Sequence, residues 1–96
     1  MSDIGMQIAR MKAVVTAISN ARSSLRALES DATSRVNVMN AYWHGDAKEA
    51  YMNRWAKAEA AMQETIVTLT RIQTQIEAAI EALLATDKKG AGIAGG

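Results

Sequence analysis

No proline occurs anywhere in the 96 residues, and the six glycines stand at positions 5, 45, 90, 92, 95 and 96. Two long stretches, 6–44 and 46–89, are therefore free of the residues that end helices. Within them, apolar residues recur three or four apart. The first series reads Ile4, Ile8, Met11, Val15, Ile18, Ala21, Leu25, Leu28, Ala32, Val36, Met39, and the second Ala47, Tyr51, Trp55, Ala58, Met62, Ile66, Leu69, Ile72, Ile76, Ile80, Leu83. Ten steps cover 35 residues in the first series and 36 in the second, an average close to 3.5, the period of a helix packed along a partner seam. The expected helices span about 3–40 and 47–87, with a turn over 41–46.

Only one strong break separates the series, Tyr42-Trp43-His44-Gly45-Asp46. Gly45 can take the left-handed backbone that reverses a chain after a helix, and Asp46 followed by Glu49 reads as an N-cap with a capping box. Folding at Gly45 brings residues whose numbers sum to 90 or 91 into register. Leu28 then meets Met62, Leu25 meets Ile66, Val15 meets Ile76 and Met11 meets Ile80, so every layer is expected to be apolar on both sides. The fold class is all-α, an antiparallel helical hairpin. A second stripe of smaller residues flanks each seam, Met6, Ala9, Ala13, Val14 and Ala17 on the first helix and Ala56, Ala60, Val67, Ala78 and Ala82 on the second. A lone hairpin cannot cover both stripes, which predicts a dimer of two hairpins in a four-helix bundle. Residues 1–87 form the hairpin domain in this reading. Residues 88–96, KKGAGIAGG, form a flexible tail that glycine keeps out of the helix.

Composition excludes several function classes. The apolar fraction of 49% leans on alanine, phenylalanine is absent, and the aromatics are Tyr42, Trp43, Tyr51 and Trp55. A formal charge of +1 lacks the concentrated basic character of a nucleic-acid partner. Residues 1–40 carry five Lys/Arg against three Asp/Glu and residues 46–87 four against seven, which favours the two halves lying side by side. Without cysteine there is neither a disulfide framework nor a thiolate metal site. No apolar run reaches membrane-spanning length, residues 1–12 lack the apolar core of a cleaved signal peptide, and no basic amphipathic face suits lysis of a membrane.

Candidate chemistry is sparse. His44 stands near Asp46 and Glu49, but one imidazole with turn carboxylates lacks convergent ligands or a nucleophile with its base, so it reads as a surface loop residue. Glu77 and Glu81 read as a solvated pair, and the methionines as core filler. Neither an enzyme nor a bound cofactor is expected. Trp55 belongs to the seam. Trp43, beside Tyr42 at the turn, has two readings of equal weight, a plug for the open bundle end and a recognition residue. The expected packing residues, within the hairpin or between hairpins, are Ile8, Met11, Val15, Ile18, Leu25, Leu28, Trp55, Met62, Ile66, Leu69, Ile72, Ile76 and Ile80.

Trp43-His44-Gly45 between two helices of this length resembles the turn of the WXG-motif family, the ESAT-like proteins. Asp46-Ala47-Lys48-Glu49-Ala50-Tyr51 is similar to the small-residue helix start and aromatic that follow the motif in that family, with Trp55 where another aromatic commonly falls. The resemblance covers residues 1 to about 87. It implies a non-enzymatic hairpin that dimerises with itself or with a second Trp-X-Gly protein. Export is then through the type VII secretion system of Gram-positive and related bacteria after folding in the cytoplasm, without a cleaved signal. Members act as secreted effectors or as targeting partners of larger co-secreted proteins. Trp43 and Gly45 are, by that resemblance, half of a signal read by the secretion ATPase. The other half, a C-terminal Tyr-X-X-X-Asp/Glu, is missing here, and Leu83 with Asp87 stands in its place. Either a partner supplies the signal or a degenerate form operates. A cytoplasmic chaperone or adaptor for a larger helical protein is the competing function.

Overall fold

The computed structural model describes the backbone of residues 2–95 and the side chains of residues 3–86. It contains two helices, α1 (Ser2–Tyr42) and α2 (Asp46–Gly95), joined by three residues. The expected hairpin is thus observed, with helices longer than the sequence predicts. The α2 backbone is helical to Gly95, past the stop expected at 87. Extending an existing helix needs no new nucleus, which separates propagation through glycine from initiation there. Asp87 and the side chains of 88–96 lie outside the described residues.

The reversal at 43–45 is built from backbone geometry. The Trp43 N–H donates to the Met39 carbonyl at 3.0 Å, closing the last turn of α1, and the Glu49 N–H donates to the Gly45 carbonyl at 3.3 Å, opening α2. Gly45, not Asp46, therefore occupies the N-cap position. Asp46 is the first helical residue, and it joins Glu49 in placing negative charge at the positive end of the helix dipole. Gly45 has φ +101°, the conformation that carries the chain around. No atom lies within 4 Å of a Cβ placed there, so backbone conformation rather than space demands glycine.

Two compact units divide the chain. One pairs residues 1–20 with 70–96, and the other is the hairpin 21–69. In the first, Ile8 and Ile80 are the buried apolar side chains, and in the second Val36 and Ile66. Along α1 the row Ile4, Ile8, Met11, Val15, Ile18, Arg22, Leu25, Glu29, Ala32, Val36, Met39, Trp43 is buried or half-buried throughout. Along α2 the row is Lys48, Met52, Trp55, Glu59, Met62, Ile66, Leu69, Gln73, Ile76, Ile80, Leu83. Both rows alternate steps of four and three, the strict seven-residue repeat of side-by-side helices.

The seam is consequently not apolar in every layer. Arg22, Glu29, Glu59 and Gln73 are half-buried on it, while Ala21, Leu28, Ala47, Tyr51, Ala58 and Ile72 stand exposed beside it. A list that follows apolar residues slips from 18 to 21 and from 25 to 28. Packing geometry keeps the repeat and accepts polar side chains, whose long stems pack while their heads reach partners or solvent. In the 21–69 unit those partners are visible. The Thr33 hydroxyl donates to Glu59 Oε2 at 3.1 Å, and the Gln63 amide donates to Glu29 Oε1 at 3.2 Å. Both pairs sum to 92, a small shift from the register of 90 or 91. In the other unit Lys12, Val15 and Thr16 line one groove with Glu77, Ile80 and Glu81.

Candidate functional site

The turn carries Tyr42 and Trp43, and the Trp43 ring meets Tyr51 of the second helix. Trp43 follows the last residue of α1 and continues its seam row, so its ring is drawn inward and half-buried. Across the reversal its ring meets Tyr51, with centroids 5.3 Å apart and planes inclined at 57°. That tilted arrangement sets the positive edge of one ring toward the negative face of the other and contributes about 0.5–1.5 kcal/mol beyond area burial. Tyr42, one residue earlier, is 83% exposed. His44 and Gly45 complete the exposed rim.

Tyr51 is the member that sequence periodicity misplaces. The apolar series places it on the seam of the second helix, but it lies 39% exposed at the flank, where it braces Trp43. The available signal was the short loop itself, since a three-residue connection puts residue 43 within a ring's reach of the second turn of α2. The structure therefore brings Trp43 and Tyr51 together, with Gly45 in the connecting loop. Leu83 is half-buried in the other compact unit, and Asp87 lies outside the described side chains. Of the expected packing residues, Ile8, Ile66 and Ile80 are buried. Met11, Val15, Ile18, Leu25, Trp55, Met62, Leu69 and Ile76 are half-buried, and Leu28 and Ile72 are exposed.

Among the described residues no group of three His, Cys, Asp or Glu side chains converges as a metal site. His44 is exposed, with no orienting carboxylate hydrogen-bonded to it among the bonds described. No described helix is long and apolar enough to cross a membrane. What the turn offers is a contact surface: one exposed phenol, one indole held at a fixed tilt, and a glycine with no side chain to obstruct approach.

A family model described as "Proteins of 100 residues with WXG" (WXG100) matches residues 3–88, which includes both helices' seams and the whole turn. No curated protein matches the chain, and no solved structure does.

Proposed function

Since the chain belongs to the WXG100 family, the small helical proteins associated with type VII secretion, we propose that it is a non-enzymatic protein exported by such a system as a folded pair. It then acts by protein–protein contact, as effector or as targeting partner of a larger co-secreted protein. The family pairs with other Trp-X-Gly proteins and is secreted through type VII systems. Trp43 and Gly45 carry recognition by the secretion ATPase in this reading. The observation that supports it is the Trp43 ring, half-buried and held against Tyr51 at 5.3 Å beside the fully turned-out Tyr42. A residue that only plugged a bundle end needs no such exposed aromatic neighbour.

Leu83 and Asp87 form the degenerate counterpart of the C-terminal signal, unless a partner supplies a complete one. The test is export from a host carrying the type VII machine. Trp43→Arg should abolish appearance of the protein in the culture medium while the purified variant keeps its helical circular dichroism. Normal export of a folded Trp43→Arg protein defeats the recognition role. The competing cytoplasmic chaperone would instead keep the wild-type chain in the lysate, bound to its larger client.

A further inference from the structure

Sulfur is unevenly placed in this chain. There is no cysteine, so methionine supplies every readily oxidised sulfur. Of the methionines with described side chains, Met6 is 52% exposed and off the seam row, whereas Met11, Met39, Met52 and Met62 are half-buried members of the seam rows. Two of them share a layer. The Thr33–Glu59 hydrogen bond fixes the register of the 21–69 unit, and one seven-residue step from it toward the turn sets Met52 beside residues 39 and 40. Met39 and Met52 thus form the last layer of the hairpin before Trp43. Met62, one position before the Gln63 that bonds Glu29, lies in a layer that already carries a carboxylate, and Met11 belongs to the other unit.

That layer is tied to both rings of the aromatic turn. Met39 precedes Trp43 by one helical turn, and its carbonyl accepts the Trp43 N–H at 3.0 Å. Met52 directly follows Tyr51, whose ring centroid lies 5.3 Å from that of Trp43. We propose that Met39 and Met52 are a sulfoxidation site whose state sets whether the Trp43 ring stays against Tyr51. The reactant is a hydroperoxide. The thioether sulfur attacks its terminal oxygen, so that an S–O bond forms as the O–O bond breaks. Sulfur loses two electrons, and the hydroperoxide is reduced to water or an alcohol, which keeps the peroxide proton.

Burial decides what the new oxygen does. A half-buried thioether is open to an oxidant as small as hydrogen peroxide, while the rest of its side chain packs in the seam. The sulfoxide is polar and needs a hydrogen-bond donor, and in this layer both helices contribute one, so a closed layer holds two unsatisfied acceptors. Opening toward water satisfies them and draws the adjoining turn outward. At Met6 the same oxygen meets water from the start and moves nothing. The consequence for export rests on the recognition role read for Trp43 above; the oxidation and its effect on the ring pair do not.

The test treats the purified full-length chain with hydrogen peroxide and follows each methionine by peptide mass spectrometry. A Trp55→Phe background leaves Trp43 as the sole source of indole emission. Addition of one oxygen at Met39 and at Met52 should shift Trp43 emission to the red and leave the helical circular dichroism unchanged. Methionine sulfoxide reductases of both stereochemical classes should reverse the shift. Met39→Leu combined with Met52→Leu keeps side-chain volume and helix propensity, and it should abolish the shift although Met6, Met11 and Met62 still take up oxygen. A red shift that survives in the double-leucine chain overturns the choice of site. Unchanged emission once Met39 and Met52 are fully oxidised, or loss of helix throughout the chain, overturns the local effect on Trp43. Met39 and Met52 that stay reduced in a folded chain whose Met6 is fully oxidised overturn the site as well. None of these measurements involves the secretion machine, so their failure is distinct from a failure of the Trp43→Arg export test.

Discussion

Gly45 shows how one residue can be required without being crowded. Its φ of +101° is open to glycine and costly to a side chain, although no atom lies within 4 Å of the missing Cβ. Gly45→Ala should therefore destabilise the hairpin by about 1–2 kcal/mol through backbone strain alone. Thermal unfolding followed at 222 nm reads this as a fall in midpoint of roughly 4–8 °C per kcal/mol for a domain of this size. Ile80, 7% exposed, represents the opposite kind of requirement. Ile80→Ala removes packing from one of the few well-covered layers and should cost about 2 kcal/mol, the low end for buried Ile→Ala. The low end applies because the surrounding shell is half-open to water and can relax into the space. Tyr51→Ala leaves Trp43 in place without its ring neighbour. Trp43 fluorescence should shift to the red on that substitution, and an unchanged spectrum would mean that the indole does not depend on the pair.

At the scale of the helices, the seven-residue repeat outranks the chemical identity of the residues that occupy it. Both rows keep their alternation of four and three through Arg22, Glu29, Glu59 and Gln73. Sliding the helices to bring Leu28 or Ile72 inward would break the alignment of every other layer. Polar positions on the seam weaken it where they are left unsatisfied. The Gln73 Oε1 is buried without a hydrogen-bond partner, so Gln73→Leu should raise stability by about 1 kcal/mol. Glu29 and Gln63 are partners across the seam. The contact is exposed, so Gln63→Leu alone leaves the Glu29 carboxylate to water and should move the melting midpoint by little, about 1 kcal/mol or less. A double-mutant cycle over Glu29 and Gln63 reports the coupling directly; a zero coupling energy would reduce the 3.2 Å contact to coincidence.

At the scale of the whole chain, few side chains are covered by the chain's own fold. Ile8, Val36, Ile66 and Ile80 are the buried apolar residues among those described, and each of the ten small-stripe positions, from Met6 to Ala82, is exposed. If folding and pairing are linked as proposed, the unfolding midpoint should climb as protein concentration rises. A midpoint independent of concentration in the wild-type chain would show a hairpin stable on its own. Either result can be read in one calorimetric dilution series.

Much of this architecture was legible in the residues alone. The absence of proline, the placement of Gly45 and the 3.5-residue period dictate two helices and one reversal, because helix length, helix termination and backbone reversal are local properties. The family follows from the same stretch, since Trp43, Gly45 and the matched span of 3–88 are sequence facts. Which residues face inward is a different matter. A list of apolar residues cannot distinguish Ala21 from Arg22 or Leu28 from Glu29 as seam members, for a step of three and a step of four both fit a helix. Only two helices packed together enforce the strict alternation that turns Leu28 and Tyr51 outward. The same packing set Trp43 against Tyr51. Local periodicity determined that this chain is a hairpin, and the contact between its helices decided which face remains to be covered.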